Sequence, residues 1–245
     1  MLTAIVLTRN EEKHLPDCLA SLTWADHVIV FDSLSTDRTS PIAREAGAEV
    51  IQRPFDHYAG QRNAALEATP SEWVLFVDAD ERVPPQLAAE ISSVLERSEA
   101  GWWIPRHNYL FGQLTRHTGW YPDYQLRLLR RARARYDPNR PVHELVLLEG
   151  EAGHLRQPLI HLNYETVGEF IAKQTDYARY DAQRLALEGV RAKPHHLISQ
   201  PLRQVWWRFI TLAGWKDGLH GLRLSLLMGR FEFEKYRRLR KSQIQ

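Results

Sequence analysis

Trp73-Val74-Leu75-Phe76-Val77-Asp78-Ala79-Asp80-Glu81 sets five apolar residues directly before three carboxylates. A run that is apolar at every position, rather than at alternate ones, suits a strand buried on both faces. Parallel strands covered by helices are buried in that way. Outward from this stretch, the N-terminal part repeats the pattern. Residues 2–8 form a first apolar strand running into Thr8-Arg9-Asn10-Glu11, and Val28-Ile29-Val30-Phe31 a second that ends in Asp32-Ser33. Glu49-Val50-Ile51 is a third. Between the first two, Leu15, Cys18, Leu19 and Leu22 recur on one helical face, with Asn10 placed to cap that helix. A short helix closed by Gly47, a helix over residues 61–68 and another from near Pro84-Pro85 complete the alternation. Four strand–helix repeats within 96 residues predict an α/β unit with a Rossmann-like, mostly parallel sheet.

After Gly101 the pattern changes. Trp102-Trp103-Ile104, Gln113-Leu114-Thr115, residues 125–129 and residues 145–148 are short strand-like pieces broken by Gly, Pro and Asn, and predict antiparallel additions. From Val167 the chain turns helical, with Phe170, Ile171, Tyr177, Tyr180 and Leu185 on one face. Residues 201–241 predict two more amphipathic helices, separated near Gly214-Trp215-Lys216-Asp217-Gly218. The expected organisation is a first half over residues 1–100, a second half of the same domain over 101–165, and a helical C-terminal region over 166–245.

Composition narrows the class. With 44% hydrophobic and 25% charged residues, the 245-residue chain is an ordinary globular protein able to bury a core. A single cysteine, Cys18, excludes an intrachain disulfide and fits a reducing compartment. The apolar start, with no basic region before it, reads as a strand rather than a leader, and no run approaches the ~18 apolar residues of a membrane span. A cytoplasmic protein is expected, or one peripheral on the inner face of the cell membrane. The net charge of +2 hides a polarity: residues 1–100 carry 8 Lys/Arg against 17 Asp/Glu, whereas residues 201–245 carry 10 against 3. The acidic front argues against nucleic acid as a partner. The basic tail, interleaved with Trp and Leu, points to an anionic surface or to helices packed on the core.

In a parallel α/β sheet, ligands collect at the carboxyl ends of the strands. Here these ends carry Thr8, Asn10, Glu11, Asp32, Asp78 and Asp80. Two carboxylates two residues apart on an extended segment share a face and repel unless a cation joins them. Oxygen ligands suit Mg²⁺ or Mn²⁺. An isolated Asp-x-Asp is equally a strand end before a helix cap, but after so apolar a strand the metal reading is the better one. Asp32 can accept from a nucleobase edge or simply shape its turn. Ser35, Thr36 and Asp37 are turn and cap residues. Arg62, expected in the first turn of its helix, can meet a phosphate or lie in solvent.

Taken together, Thr8-Arg9-Asn10-Glu11, Asp32-Ser33-Leu34-Ser35-Thr36-Asp37, Gly60-Gln61-Arg62-Asn63 and Asp78-Ala79-Asp80-Glu81 resemble glycosyltransferase family 2, whose nucleotide-binding half has the glycosyltransferase A-type fold. The resemblance covers residues 2–100, with four motifs in order. It implies transfer of a sugar from a nucleotide diphosphate sugar donor, with Thr8 and Asp32 at the uracil of a UDP-sugar. It also implies Arg62 near the nucleotide, Asp80 on the metal, and Asp78 on the ribose or the metal. Where the family often has Asp-Asp-Gly-Ser, this chain has Asp32-Ser33-Leu34-Ser35, which alters the base-binding geometry.

Further on, Gly119-Trp120-Tyr121-Pro122-Asp123-Tyr124-Gln125-Leu126-Arg127-Leu128, Pro141-Val142-His143-Glu144 and His161-Leu162-Asn163-Tyr164 are similar to a bacterial branch that includes lipopolysaccharide core β-glucosyltransferases. That branch implies a cell-envelope glycan or glycolipid acceptor. An inverting transfer needs one base to take the acceptor proton. Glu144 is the first choice and Asp123 the second, each with a bland alternative as a surface or turn carboxylate. His161 is a candidate third metal ligand or a structural histidine. The cluster Arg130, Arg131, Arg133 and Arg135 is a solvated face or an attractor for a phosphorylated acceptor. Two other functions compete. A sugar nucleotidyltransferase would open with a Gly-rich phosphate loop, absent at Thr8-Arg9-Asn10-Glu11-Glu12. A non-catalytic nucleotide-sugar or glycan-binding relative would need no carboxylates at 78, 80 and 144.

Overall fold

The computed structural model describes residues 1–138 and 145–243; Glu144 lies outside the described residues. Two compact units make up the chain, one of Met1–Arg106 with Asp123–His161, the other of His107–Pro122 with Leu162–Gln245.

The first unit is built on β1 (Leu2–Thr8), β2 (His27–Asp32), β3 (Glu49–Gln52) and β4 (Trp73–Asp78), parallel and in the order β3-β2-β1-β4. Between them run α1 (Leu15–Ala20), α2 (Thr39–Glu45) and α3 (Tyr58–Ala68). The apolar run in β4 is used on both sides, as strand geometry demands. Val74 and Phe76 join Ile5, Ala65 and Leu66 in one core, while Leu75 and Val77 join Ala4, Val6, Leu15 and Leu19 in another. Register aligns the strand ends: Thr8 pairs with Asp32, Asp32 with Gln52, and Leu7 with Asp78. One edge of the sheet therefore presents all the polar ends picked out from the sequence.

β5 (Glu81–Arg82) and α4 (Pro85–Val94) follow, and α4 adds Leu87, Ile91 and Val94 to the core shared with α1. β6 (Gly101–Leu110) runs ten residues, straight through Pro105, rather than the three expected. It returns as β7 (Gln113–Thr115) in the second unit. β8 (Asp123–Arg130) then lies antiparallel between β4 and β6, confirming the antiparallel additions. β9 (Ala134–Tyr136) and β10 (Val146–Leu148) form a separate antiparallel pair, β11 (Ala152–His154) runs parallel to β6, and β12 (Leu159–Tyr164) pairs with β5. The strand at 159–164, read from the sequence only as a motif, owes its placement to pairing with a strand far away in the sequence.

Asn10 is a correction. It does not cap α1, whose N-cap residue is His14. Asn10 adopts a left-handed φ of 58° and its Oδ1 accepts from Thr36 N at 2.8 Å, joining the loop after β1 to the loop after β2. Asn tolerates that conformation better than most residues, and the bond to Thr36 holds it there.

In the second unit α5 (Val167–Leu187) opens with a capping box, Thr166 and Glu169 bonding each other's backbone N–H groups. α6 (His196–Trp206) continues as a π-helical turn, Trp207–Thr211, and a short 3₁₀ turn at Gly214–Asp217 leads into α7 (Gly218–Ser242). The helical tail and its break thus match the sequence reading. Phe170 is fully buried against Tyr164 and Phe231, at ring distances of 4.9 and 5.8 Å. α6 and α7 approach closely at Gly229, where an added Cβ would lie 2.5 Å from Val205 Cγ2.

β11 meets β6 just as tightly. A Cβ on Gly153 would sit 2.1 Å from Cζ3 of Trp102, a buried core residue. Gly153→Ala is expected to destabilise the protein by about 1–3 kcal/mol, the usual cost of overpacking. A urea titration with an unchanged midpoint would contradict this packing.

Candidate active site

β4 delivers Asp78 to the edge of the sheet, and the chain then turns through Ala79 and Asp80 into β5. The turn is held by Glu81, which has no exposed surface. Its Oε2 accepts from the Asp78 amide at 2.9 Å, and its Oε1 from Arg106 Nη1 at 3.2 Å and Arg127 Nη2 at 3.4 Å. Arg127, buried in β8, also grips Asp78 with both terminal nitrogens: Nη1 donates to Oδ1 at 3.1 Å and Nη2 donates to Oδ2. Arg62 Nη2 stands 3.5 Å from the same Oδ1. Arg106 is directly across the ladder from Asp123 and donates to its Oδ2 through Nε at 2.9 Å and Nη2 at 2.6 Å. Gln125 Nε2 donates to Asp123 Oδ1 at 2.8 Å.

Three guanidinium groups (Arg62, Arg106, Arg127) thus face three carboxylates (Asp78, Glu81, Asp123) in one connected chain. Burial is the reason for the pairing, since an ion withdrawn from water must be answered by an opposite charge and hydrogen bonds. Burial by itself would raise the Asp78 carboxyl, but Arg127, Arg62 and Arg106 outweigh it and hold Asp78 well below the usual carboxylate range. Conversely, burial would lower Arg127, and Asp78 and Glu81 more than offset it, so Arg127 stays protonated. Arg62 is neither in the first turn of α3 nor in solvent. It lies in the second turn, buried, with its guanidinium 5.0 Å from the ring centre of Phe76 and 5.6 Å from that of Tyr136.

Asp80 is as exposed as Asp78, with 33% of its side-chain surface open against 34%, but its neighbour differs: the pairing of β5 with β12 brings His161 Nε2 to 3.4 Å from its Oδ2. Asp78 already faces two guanidinium groups, which repel a cation. Asp80 with His161 is an oxygen–nitrogen pair without such opposition. Among the described residues no three His, Cys, Asp or Glu converge. A pair fits an ion such as Mn²⁺ or Mg²⁺, which takes one or two protein ligands and fills the rest with phosphate oxygens and water.

Asp32, next along the edge, is fully buried, and five donors reach it. Oδ1 accepts from Thr8 Oγ1 at 3.1 Å and from Ser35 Oγ; Oδ2 accepts from Ser35 N at 3.0 Å, Ser40 Oγ at 3.1 Å and Gln52 Nε2 at 3.2 Å. Burial would raise this carboxyl too, but the bonds from Ser35, Gln52 and Ser40 carry it below its ordinary value. The geometry makes Asp32 the organiser of its own loop. In that loop Leu34 takes a left-handed φ of 58° and is exposed, at the position where the family pattern has glycine. Asp37 serves as a turn residue, its Oδ1 accepting from Thr39 N at 3.0 Å. Glu11 presents its amide to Thr39 Oγ1 at 2.8 Å, so the first two loops are stitched together by side chains.

The structure therefore gathers Thr8, Asp32, Arg62, Asp78, Asp80, Asp123 and His161 in the first unit. Sequence reasoning missed Glu81, Arg106 and Arg127 as members of the site. Their signal was present: an arginine inside the apolar strand Leu126-Arg127-Leu128-Leu129, and another just after Trp102-Trp103-Ile104-Pro105. Such an arginine has no solvent to reach and calls for a buried acid.

The model of glycosyl transferase family 2 matches residues 3–148. The chain is 31% identical over 233 residues to the lipopolysaccharide core biosynthesis glycosyltransferase LpsC of Rhizobium meliloti (strain 1021), an alignment covering 90% of this chain and 84% of that protein. It is 23% identical over 262 residues to the uncharacterised glycosyltransferase RC0292 of Rickettsia conorii, covering 99% and 91%. Among solved structures, it is similar to the mannosyltransferase PcManGT of Pyrobaculum calidifontis in complex with GDP-Man and Mn²⁺, with a TM-score of 0.57, 13% identity, and 97% and 86% coverage. TarS 1–349 of S. aureus gives a TM-score of 0.50 at 16% identity, covering 96% and 91%. At these identities the solved structures speak to the fold alone.

Glu81 is the member of this network whose loss should cost most. Glu81→Gln keeps its shape but leaves Arg106 and Arg127 short of negative charge, and is expected to lower the unfolding free energy by about 3–5 kcal/mol. Chemical denaturation would show it; a change within ~0.5 kcal/mol would mean that solvent, not Glu81, answers the arginines.

Proposed function

The chain belongs to glycosyl transferase family 2 and has its A-type α/β fold, and from that premise we propose that it moves a sugar from a UDP-sugar to a hydroxyl of a cell-envelope or lipid-linked glycan, inverting the anomeric centre. The observation that carries this reading is the alignment of Thr8, Asp32, Asp78 and Asp80 along one edge of a parallel sheet, with Asp78 paired to arginine and Asp80 to His161. The likeness to LpsC supports the class of acceptor.

In this reading Asp80, assisted by His161, holds Mn²⁺ or Mg²⁺. The ion, when bound, neutralises charge that builds on the diphosphate as the glycosidic bond breaks. Asp78, immobilised by Arg127 and Arg62, has a lone pair left for a ribose hydroxyl. Asp32 acts on the base indirectly: it shapes the Ser33–Ser35 loop, and backbone and hydroxyl groups of that loop and Thr8 meet the uracil edge. Asn10 and Glu11 brace the loop beside it. On the acceptor side one carboxylate takes the hydroxyl proton while the acceptor oxygen bonds the anomeric carbon and the diphosphate leaves from the opposite face. Glu144 remains the first choice for that base. Asp123, already accepting from Arg106 and Gln125, is better suited to orienting the acceptor.

The test is release of UDP from UDP-sugars with Mn²⁺ and a panel of envelope glycans, with NMR of the product for anomeric configuration. Asp80→Asn is expected to lower kcat by ~10²–10³-fold and remove the metal dependence of UDP binding. Nucleotide affinity unchanged by chelator, together with an active Asp80→Asn enzyme, would overturn the metal assignment.

Glu144→Gln is expected to lower kcat by ~10²–10⁴-fold with UDP-sugar affinity unchanged, while Asp123→Asn raises the acceptor KM. The reverse result would exchange the two roles.

A further inference from the structure

The site lies in the first unit and leaves a surface of the second without a role. α6 and its π-helical continuation expose Ile198, Leu202, Trp206 and Ile210, the first three at 68%, 64% and 64%. Steps of four residues place these side chains on one helical face. α7 carries a second exposed stripe, in which Leu219, Leu226 and Phe233 alternate with Arg223 and Arg230. These are not core faces left uncovered by accident. The inner faces are already used: α6 against α7 at Gly229, and Leu224, Phe231 and Leu239 buried. A shallow concavity of about 450 Å³ lies between Leu219, Leu222, Leu226, Leu227 and the stems of Arg223 and Arg230.

Apolar stripes by themselves fit many partners; charge selects among them. Residues 201–245 carry 10 Lys/Arg against 3 Asp/Glu, and each of those three acids is already engaged. Glu232 pairs with Lys235, Glu234 with Arg237 and Arg238, and Asp217 with His117. The field outside these helices is therefore positive, and basic side chains stand between apolar ones. A second copy of the chain meeting the same face would set arginine against arginine. A surface that is apolar beneath and anionic above has the complementary order. It would take the Trp and Leu side chains at the headgroup–acyl boundary and the arginines at its phosphates, with their stems snorkelling.

We propose that the exposed face of α6 and α7, from Ile198 to Phe233, docks peripherally on an anionic lipid bilayer. Among the described residues no helix is long and apolar enough to cross one. The docking is independent of the donor, metal and acceptor proposed above.

Vesicle sedimentation of the full chain tests it. Binding is expected to vesicles of phosphatidylcholine with about 30% phosphatidylglycerol, and to fall at least about tenfold on pure phosphatidylcholine or in about 0.5 M salt. The pair Leu202→Ser/Trp206→Ser and the single change Arg230→Glu are each expected to weaken partitioning by at least about tenfold, with thermal unfolding unchanged because these three side chains are exposed. Three results would overturn the proposal. One is no binding to the anionic vesicles, and another is binding that salt and both variants leave unchanged. The third is a concentration-dependent dimer in sedimentation velocity that Leu202→Ser/Trp206→Ser abolishes, which would make the face a self-association surface.

Discussion

A carboxylate with no solvent contact, set at the edge of a sheet, has to be answered from inside the protein. Glu81 is answered by the Asp78 amide, by Arg127 and by Arg106, and these four groups order most of what surrounds them. Through Arg127 the network fixes Asp78; through Arg106 it fixes Asp123 on another strand. The turn between β4 and β5 is thereby held, and with it the direction in which Asp80 leaves the sheet. A network of this kind stabilises little compared with an apolar core of equal volume, but breaking it at one member leaves charges buried without partners. Its effect is orientation: the acidic side chains at this edge are each held in one direction.

The same economy operates at Asp32. A buried anion accepting five hydrogen bonds is poorly placed to accept a sixth from a ligand, yet it gives the loop after β2 one shape. Leu34 accepts a left-handed backbone in that loop, which costs an L-residue roughly 1–2 kcal/mol and persists because the bonds on either side of it determine the path. The family substitution of Leu for Gly is therefore accommodated by the surrounding hydrogen bonds rather than by a change of turn.

Charge is partitioned along the chain in a way that follows from these demands. The first hundred residues concentrate acids, two of which, Asp78 and Glu81, are answered by arginines from later strands. The last forty-five concentrate bases, and most of those are exposed.

Much of the fold was legible in the sequence. Unbroken apolar runs at residues 2–8, 28–31 and 73–77 leave a strand no solvent face, which requires helices on both sides and hence a parallel α/β sheet. The helical periodicity after Val167 is equally local. Legible too were the polar strand ends, because parallel strands bring their carboxyl ends to one edge. Partners were not. Arg127 and Glu81 are 46 residues apart, and Asp123 and Arg106 meet only because β8 and β6 share an antiparallel register. Asn10, a good cap by residue type, binds the loop 26 residues away instead. Hydrophobic period and residue type act over a few residues and so determined the elements and the edge. Which carboxylate faces arginine is a long-range pairing of charges, and only the tertiary structure decided it, by setting Asp78 against Arg127 and Arg62 and Asp80 beside His161.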